Sequence, residues 1–455
     1  MAMQITDNIQ SKRNGTRHSR EYARDTLAMI LAGGRGTRLS ELTEWRVKPA
    51  VPFGGNYRII DFSLSNCVNS GINRIGVLTQ YKSQSLIRHL GKGWNFLNSK
   101  FGEFVEIIPA QKRIKDEWYE GTADSIYQNI DFIIKHNPEY VLILGGDHIY
   151  QMDYNPLLAF HEENEADVTI GCIEISKEEA GSFGIMAVDE QYRITRFEEK
   201  PDNPAVVPGK KNRCLASMGI YVFKTKKLLE LLVSDADKED TAHDFGRDII
   251  PVALQSSKVF AWPFLEETSG RPGYWRDVGT VDSYYQANME LTGGDAKLNP
   301  GNPEWPVHTA PAHCPPARFM TDENGWPGII SNSVISAGCS LSDTRIENSV
   351  ISSGVKVRGS EIINSVILPD VDIKPGCRIK NAVIDKGCTI TEGTIIGESR
   401  KADNEWFRVS GTGVRLVTAE MIEAIRYRQE KLFIPAAALQ LKKLNQTDYG
   451  LAAGG

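Results

Sequence analysis

The sequence predicts an α/β domain with a mainly parallel sheet, joined to a second domain built as a solenoid of short parallel β-strands. Three observations carry this. From Thr26 to about Leu291, short apolar β-rich runs alternate with helical patterns, as at Arg74 to Thr79, Tyr140 to Leu144 and Val168 to Ile175. The first run, Leu27-Ala28-Met29-Ile30, empties into a glycine-rich loop, LAGGRGTRL, at Leu31 to Leu39. Near the other end, Asn-Ser-Val-Ile recurs at 332, 348 and 364 and as Asn-Ala-Val-Ile at 381, a period of 16 or 17 residues. A repeat so short, rich in β-branched residues and punctuated by glycine, suits coils that bury their apolar positions against the next coil.

Length and composition fit this division. A chain of 455 residues exceeds one ordinary core and suggests two to three domains. A formal net charge of −6 without a long basic run argues against nucleic acid as the main partner. Seven cysteines without C-x-x-C pairs fit reduced thiols of a cytoplasmic protein better than a disulfide framework or a zinc site. No stretch approaches the roughly 18 to 20 apolar residues of a membrane span. Residues 1–25 are polar, lack the apolar segment of a secretory signal and are expected to form a mobile arm.

The glycine loop is the first candidate site. A buried strand followed at once by glycines turns sharply and aims backbone N–H groups at a ligand, which suits phosphate. Arg35 and Arg38 add charge-assisted donors. The spacing excludes a dinucleotide fingerprint, because Leu39 stands where its third glycine belongs, and no Gly-Lys-Ser/Thr makes a P-loop.

Next, Val47-Lys48-Pro49-Ala50-Val51-Pro52-Phe53 holds a lone lysine among prolines, outside regular helix; it reads equally as a phosphate contact or a solvated surface lysine. Asp61 to Val68 has the spacing of a helix entering the core, begun by the aspartate. Trp118-Tyr119-Glu120-Gly121-Thr122-Ala123-Asp124-Ser125 precedes a helical pattern. Gly121 there suits a base or sugar contact, with Thr122 or Asp124 as cap, as well as it suits two packed aromatics at an ordinary helix start.

The run Tyr140 to Leu144 ends in Gly145-Gly146-Asp147-His148, which sets a carboxylate at the mouth of a buried strand. Divalent magnesium takes hard oxygens, commonly one or two carboxylates, so Asp147 is a metal candidate. Asp277, in Tyr274-Trp275-Arg276-Asp277-Val278-Gly279-Thr280, is the second, although Arg276 offers it a structural ion pair instead. Between them lie Ser182-Phe183-Gly184, Phe197-Glu198-Glu199-Lys200-Pro201 and Ala216-Ser217-Met218-Gly219-Ile220-Tyr221. Lys200 can hold a sugar phosphate while Glu199 accepts a sugar hydroxyl; the plainer meaning of the pair is an exposed surface turn.

Prolines recur from Leu298 to Pro316 without periodicity, which marks a linker over 296–328. The solenoid follows over 329–425. A helical stretch at Ala419 to Ile425 and a basic cluster at Arg426 to Lys431 lead into a tail over 426–455.

Together LAGGRGTRL, VKPAVPFGG, WYEGTADS, GGDHIY, SFG, EEKP, ASMGIYVF, YWRDVGT and the repeat resemble the bacterial glucose-1-phosphate adenylyltransferases, in unbroken order from Thr26 to Ile425. The glycine loop alone identifies only the wider sugar-nucleotide pyrophosphorylases; GGDHIY, HDFGRDIIP and YWRDVGT point to the glycogen-pathway branch. The resemblance implies a Rossmann-like nucleotidyltransferase domain over 26–295 and a left-handed parallel β-helix. It implies adenylyl transfer from ATP to glucose 1-phosphate, with Mg²⁺ and without a covalent enzyme intermediate.

By the same resemblance, Tyr119, Gly184, Glu199, Lys200, Ser217 and Tyr221 match the glucose 1-phosphate contacts. Gly33, Gly34, Arg35, Lys48, Gln80 and Gly121 match the nucleotide side, with Arg35, Lys48 and Asp147 catalytic. Asp147 and Asp277 match the metal ligands. Homotetramers under metabolite control are expected. Members activated by fructose 1,6-bisphosphate carry lysine and histidine where this chain has Trp45 and Pro52, and arginines where it has Ala419 and Glu423. A different effector is therefore expected, with Arg46, Arg58 and Lys386 as candidate contacts. The competing readings are a related enzyme using UTP, dTTP or GTP and a noncatalytic regulatory subunit; an acyltransferase role for the solenoid lacks a histidine base in the repeats.

Overall fold

The computed structural model describes residues 21–433, apart from 35, 112–117, 267–268, 295, 322–324 and 326–327, with side chains described to Arg428. Most of the expected N-terminal arm, the tail beyond 433 and Arg35 lie outside the described residues. Two compact units are present, one taking in residues up to 291 together with 295–312, the other 292–294 and the residues from 313.

The first unit is organised by β1 (Thr26–Leu31). Its side chains alternate between two cores, Ala28 and Ile30 on one face and Leu27 and Met29 on the other, as a strand covered on both sides requires. That is why it reads as an unbroken apolar run. It pairs in parallel with β2 (Arg74–Thr79) and with β4 (Tyr140–Gly145), Met29 standing opposite both Gly76 and Ile143. Strand β3 (Phe104–Pro109) extends the parallel half beyond β2. Beside the sheet, β5 (His148–Tyr150) continues the chain after β4.

On the other flank are β6 (Val168–Ser176), β7 (Gly184–Val188), β8 (Ile194–Glu199) and the twelve-residue β9 (Arg213–Lys224). Strand β9 runs antiparallel to β4, β6 and β7, and β6 pairs in parallel with β10 (Val259–Pro263). The sheet order is β8-β7-β9-β4-β1-β2-β3, with β6 also on β9. Because β1, β2 and β4 are parallel, the glycine loop, Gln80 and Asp147 all leave the sheet at the same carboxyl edge, where ligands sit in such folds.

Asp61 is not the cap but the third residue of helix α1 (Ile59–Asn69); its carboxylate reaches back to the Arg58 N–H and also accepts from His89, Trp94 and Thr309. Residues 305–309, inside the segment expected as a linker, lie along this helix. Trp305 Nε1 donates to Asn66, the His308 N–H to Ser65, and Asn69 to the Pro306 carbonyl.

The second unit is the expected left-handed β-helix. Three stacks of strands run in parallel from coil to coil; Val334, Val350, Val366 and Val383 form one row. The repeated asparagines, 332, 348, 364 and 381, all adopt φ between 44° and 50°, the left-handed conformation asparagine tolerates best. The serines beside them form a ladder, each hydroxyl accepting the next coil's N–H: Ser333 from Ser349, Ser349 from Ser365, Ser365 from Ala382. Ala382 has no hydroxyl to extend the ladder, and the N–H of Arg415 on the next strand bonds to the Asn381 carbonyl instead. One helix, Ala419–Phe433, runs through the basic cluster and across position 426. Among the described residues no helix is long and apolar enough to cross a membrane.

Candidate active site

Lys48 lies in one turn of 3-10 helix, Lys48–Ala50, stiffened by Pro49, and is 5% exposed. It is not a solvated surface lysine. Its Nζ lies 3.0 Å from Asp147 Oδ2 and 2.6 Å from Asp277 Oδ1. Asp147 follows β4, whereas Asp277 ends β11 (Trp275–Asp277), which pairs antiparallel with β5 and sets Asp277 opposite His148. Arg276 does not pair with Asp277. It forks onto Glu290 at 3.2 and 2.9 Å, beside Tyr274, whose hydroxyl donates to the same carboxylate. This ties β11 to helix α4 (Val281–Met289) and leaves Asp277 to Lys48, with Arg38 at 3.9 Å.

The electrostatics follow from this geometry. Burial alone would lift the Asp147 carboxyl, yet the Lys48 ammonium and the neighbouring His148 more than offset it and hold it at about 2. Burial opposes the Lys48 charge, but the two carboxylates prevail and raise its pKa. Asp147, His148 and Asp277 each place one donor atom within 4.8 Å of the others, so the cluster can hold a divalent metal. The two hard carboxylates fit Mg²⁺. His148 carried no role in the sequence reading; it packs against Trp275 at 4.9 Å between ring centroids.

Of the expected sugar-phosphate residues, Gly184 begins β7, Glu199 ends β8 with Lys200 next, Ser217 and Tyr221 lie within β9, and Tyr119 precedes the helix that begins at Thr122. Glu199 Oε1 is 3.1 Å from Lys200 Nζ, and Glu199 Oε2 lies so close to Gly184 and Gly246 that a Cβ on either would come to 2.9 Å. Lys200 adopts φ 49°, and its N–H bonds to the Phe183 carbonyl. Strand β9 slips register between Ser217 and Ile220, and this bulge brings the Ser217 hydroxyl to 3.4 Å from that of Tyr221. Tyr221 stacks on Phe245. The Tyr119 hydroxyl accepts from Asn129, and Gln80 Nε2 donates to the Tyr119 carbonyl, which joins the two expected subsites.

Within the glycine loop the residues differ. Gly36 has φ 61°, and a Cβ added at Gly33 would come to 3.2 Å from the Gln80 Cβ. A Cβ on Gly34 meets nothing within 4 Å among the described residues. At Gly121 a Cβ would overlap the carbonyl oxygens of Ala242 and His243, so packing alone accounts for this glycine. Gly121 is itself the cap position of helix α2 (Thr122–Tyr127), and neither Thr122 nor Asp124 caps by side chain as expected. The His243 carbonyl instead accepts from the Ala123 and Asp124 N–H groups. Thr122 donates to Asp244, and the Phe245 N–H to Thr122. In the sequence the 242–246 segment carries no role beyond the family pattern that begins at His243, and nothing local there shows that it frames the site.

Of the expected effector contacts, Arg46 is 3% exposed, and the Arg58 guanidinium already donates to the Ala50 and Ser85 carbonyls and to the Ser85 hydroxyl. Lys386 is exposed in the solenoid, after Ala382–Ile384.

Residues 27–294 match the nucleotidyl transferase family, and 315–417 match the GlmU-like C-terminal hexapeptide family. A glucose-1-phosphate adenylyltransferase of Nitrosococcus oceani is 52% identical over 414 residues, 90% of this chain and 98% of its own length. Those of Hydrogenovibrio crunogenus and Methylococcus capsulatus are 53% and 51% identical, over 90% and 91% of this chain and 97% and 98% of theirs.

Proposed function

Because this chain belongs to the glucose-1-phosphate adenylyltransferase family, we propose that it transfers the adenylyl group of ATP to α-D-glucose 1-phosphate, giving ADP-glucose and pyrophosphate. The observation that carries this reading is the buried Lys48 ammonium, held between two carboxylates at the edge where the glycine loop opens.

A phosphate oxygen of the sugar phosphate attacks the α-phosphorus of ATP in line, and the bond to pyrophosphate breaks. Lys200 and Glu199 hold the sugar phosphate and a sugar hydroxyl, with Tyr119, Gly184, Ser217 and Tyr221 around them. Gly33, Gly34, Gly121 and Gln80 line the nucleotide side, and Arg35 and Lys48 neutralise the charge that grows on the leaving group. Asp147 and Asp277 would hold Mg²⁺, which, when bound, screens the phosphate oxygens and stabilises pyrophosphate as it departs. No nucleophile of the protein is required; catalysis is positioning and charge.

The same reading makes this a cytoplasmic homotetramer that supplies ADP-glucose to glycogen or a related α-glucan under metabolite control. All seven cysteines are free thiols, which suits a reducing compartment. Effector binding at Arg58 would share a guanidinium that already has backbone partners, whereas Lys386 is presented to solvent.

Pyrophosphate release measured with glucose 1-phosphate and each of ATP, UTP, dTTP and GTP tests the assignment. ATP is expected to give the highest kcat/KM. A preference for UTP makes the chain a different sugar-nucleotide pyrophosphorylase, and no release with any nucleotide makes it a noncatalytic subunit.

A further inference from the structure

His243 is buried, adopts φ 49°, and stands between two carboxylates on different parts of the chain. Its Nδ1 lies 2.8 Å from Asp235 Oδ2, in the last turn of helix α3 (Thr225–Ala236), and 3.0 Å from Thr241 Oγ1. Its Nε2 lies 3.4 Å from Glu120 Oε2. Glu120 is flanked by Tyr119 and Gly121. The other Asp235 oxygen is buried with no hydrogen-bond partner among the described residues, so the ring is this carboxylate's principal anchor.

The main chain at 243 makes the same connection a second time. Its carbonyl caps the first N–H groups of α2, and the close approach of Ala242 and His243 is what demands glycine at 121. One residue downstream, Asp244 takes the Thr122 hydroxyl and the N–H groups of Gly246 and Arg247. Gly246 in turn lies against the Glu199 carboxylate.

We propose that His243 is a positioning residue, whose ring ties Asp235 to Glu120 and so sets the Tyr119–Gly121 segment against the 242–246 segment. This rests on the adenylyltransferase reading for the identity of the ligands, not for the geometry. The sugar-phosphate side at Tyr119 and the nucleotide side at Gly121 are adjacent in sequence, so a loosened segment weakens both. Removing the ring also leaves Asp235 and Glu120 facing each other without a donor between them.

Steady-state kinetics of His243→Ala and His243→Asn test this, with thermal unfolding and the fraction of folded protein measured alongside. His243→Ala is expected to raise the KM of both glucose 1-phosphate and ATP by about tenfold while kcat falls by less than about threefold, the signature of lost binding in ground and transition states alike. Asparagine accepts the left-handed backbone and keeps a donor toward Asp235, so His243→Asn should recover most of the loss. Unchanged KM values in the folded fraction, with only a lower Tm, overturn the proposal and leave His243 a stability residue. If His243→Ala does not fold, Glu120→Gln carries the test with an expected rise of about threefold in both KM values, and no rise overturns it. Should the wild-type protein prefer another nucleotide, the same comparison made with that nucleotide still decides the role of His243.

Discussion

Replacing Lys48 by methionine keeps the length and much of the apolar stem of the side chain while removing the ammonium that lies 3.0 and 2.6 Å from Asp147 and Asp277. Two consequences follow. Asp147 is held at about 2 against an ordinary carboxyl value of 3.8, by Lys48 and His148 acting against burial. Without Lys48, burial prevails and Asp277 adds repulsion, so its midpoint should climb above 3.8. A difference of about 2 units corresponds to roughly 2.5 kcal/mol, and because about a third of the Asp147 side chain is exposed, screening reduces this to roughly 1 kcal/mol.

The sign is that of a depressed carboxyl. The stabilisation is fully present above the unfolded-state value near 4 and is lost as pH falls toward 2. Carboxyl carbon NMR of the metal-free protein reads this directly, since at pH 4 Asp147 should be ionised in the wild type and substantially protonated in Lys48→Met. Turnover should fall by about 10² to 10³, the usual effect of deleting one preorganised donor to developing charge. An Asp147 midpoint that stays at about 2 in the variant refutes the electrostatic account, and unchanged kcat removes Lys48 from the chemistry.

Asp147→Asn should lower kcat by about 10²-fold or more while the circular-dichroism spectrum stays that of the folded protein, because the volume is kept, with stability falling only by the roughly 1 kcal/mol that the ionised carboxylate contributes. Lys200→Ala should chiefly raise the KM for glucose 1-phosphate; a rise confined to ATP would assign Lys200 to the nucleotide instead. Gly121→Ala should destabilise by about 2 kcal/mol or more in urea unfolding, because the new Cβ overlaps two carbonyl oxygens. Gly34→Ala should leave the urea midpoint unchanged, since nothing described lies within 4 Å of the added methyl, while raising the KM for ATP.

Features carried by local pattern were legible in the sequence. The β1 run reads as a two-sided buried strand because Leu27, Ala28, Met29 and Ile30 are all apolar and all buried. The solenoid reads at once because the repeats at 332, 348, 364 and 381 make nearly the same demand, an asparagine at a left-handed turn followed by a small residue and two β-branched residues, buried in all but the first. Asp147 and Asp277 were legible as carboxylates beside glycine. That they share a partner was not, because Lys48 lies 99 and 229 residues away from them and its own segment reads equally as a phosphate contact or a solvated surface lysine. Residues 305–309 escaped for a related reason: they have no periodicity, and they dock through single hydrogen bonds to polar side chains of α1.

The glycines show why composition alone leaves a site ambiguous and how geometry resolves it. At 36 the reason for glycine is a positive φ, and at 121 it is the approach of a neighbouring backbone; both belong to the fold. At 184 the added Cβ would first strike the Phe197 ring and then the Glu199 carboxylate; at 246 the Glu199 carboxylate is the nearest neighbour, at 2.9 Å, so Gly246 keeps room for a side chain expected to meet the sugar. Among the described residues Gly34 answers to none of these constraints, since nothing described lies within 4 Å of an added Cβ and the residue is exposed. A glycine that folding does not require, directly after a buried strand and beside an arginine-bearing loop, is best explained by what comes to rest against it. In a phosphate cradle that is the ligand's own oxygens, which need the backbone N–H closer than a methyl group would allow.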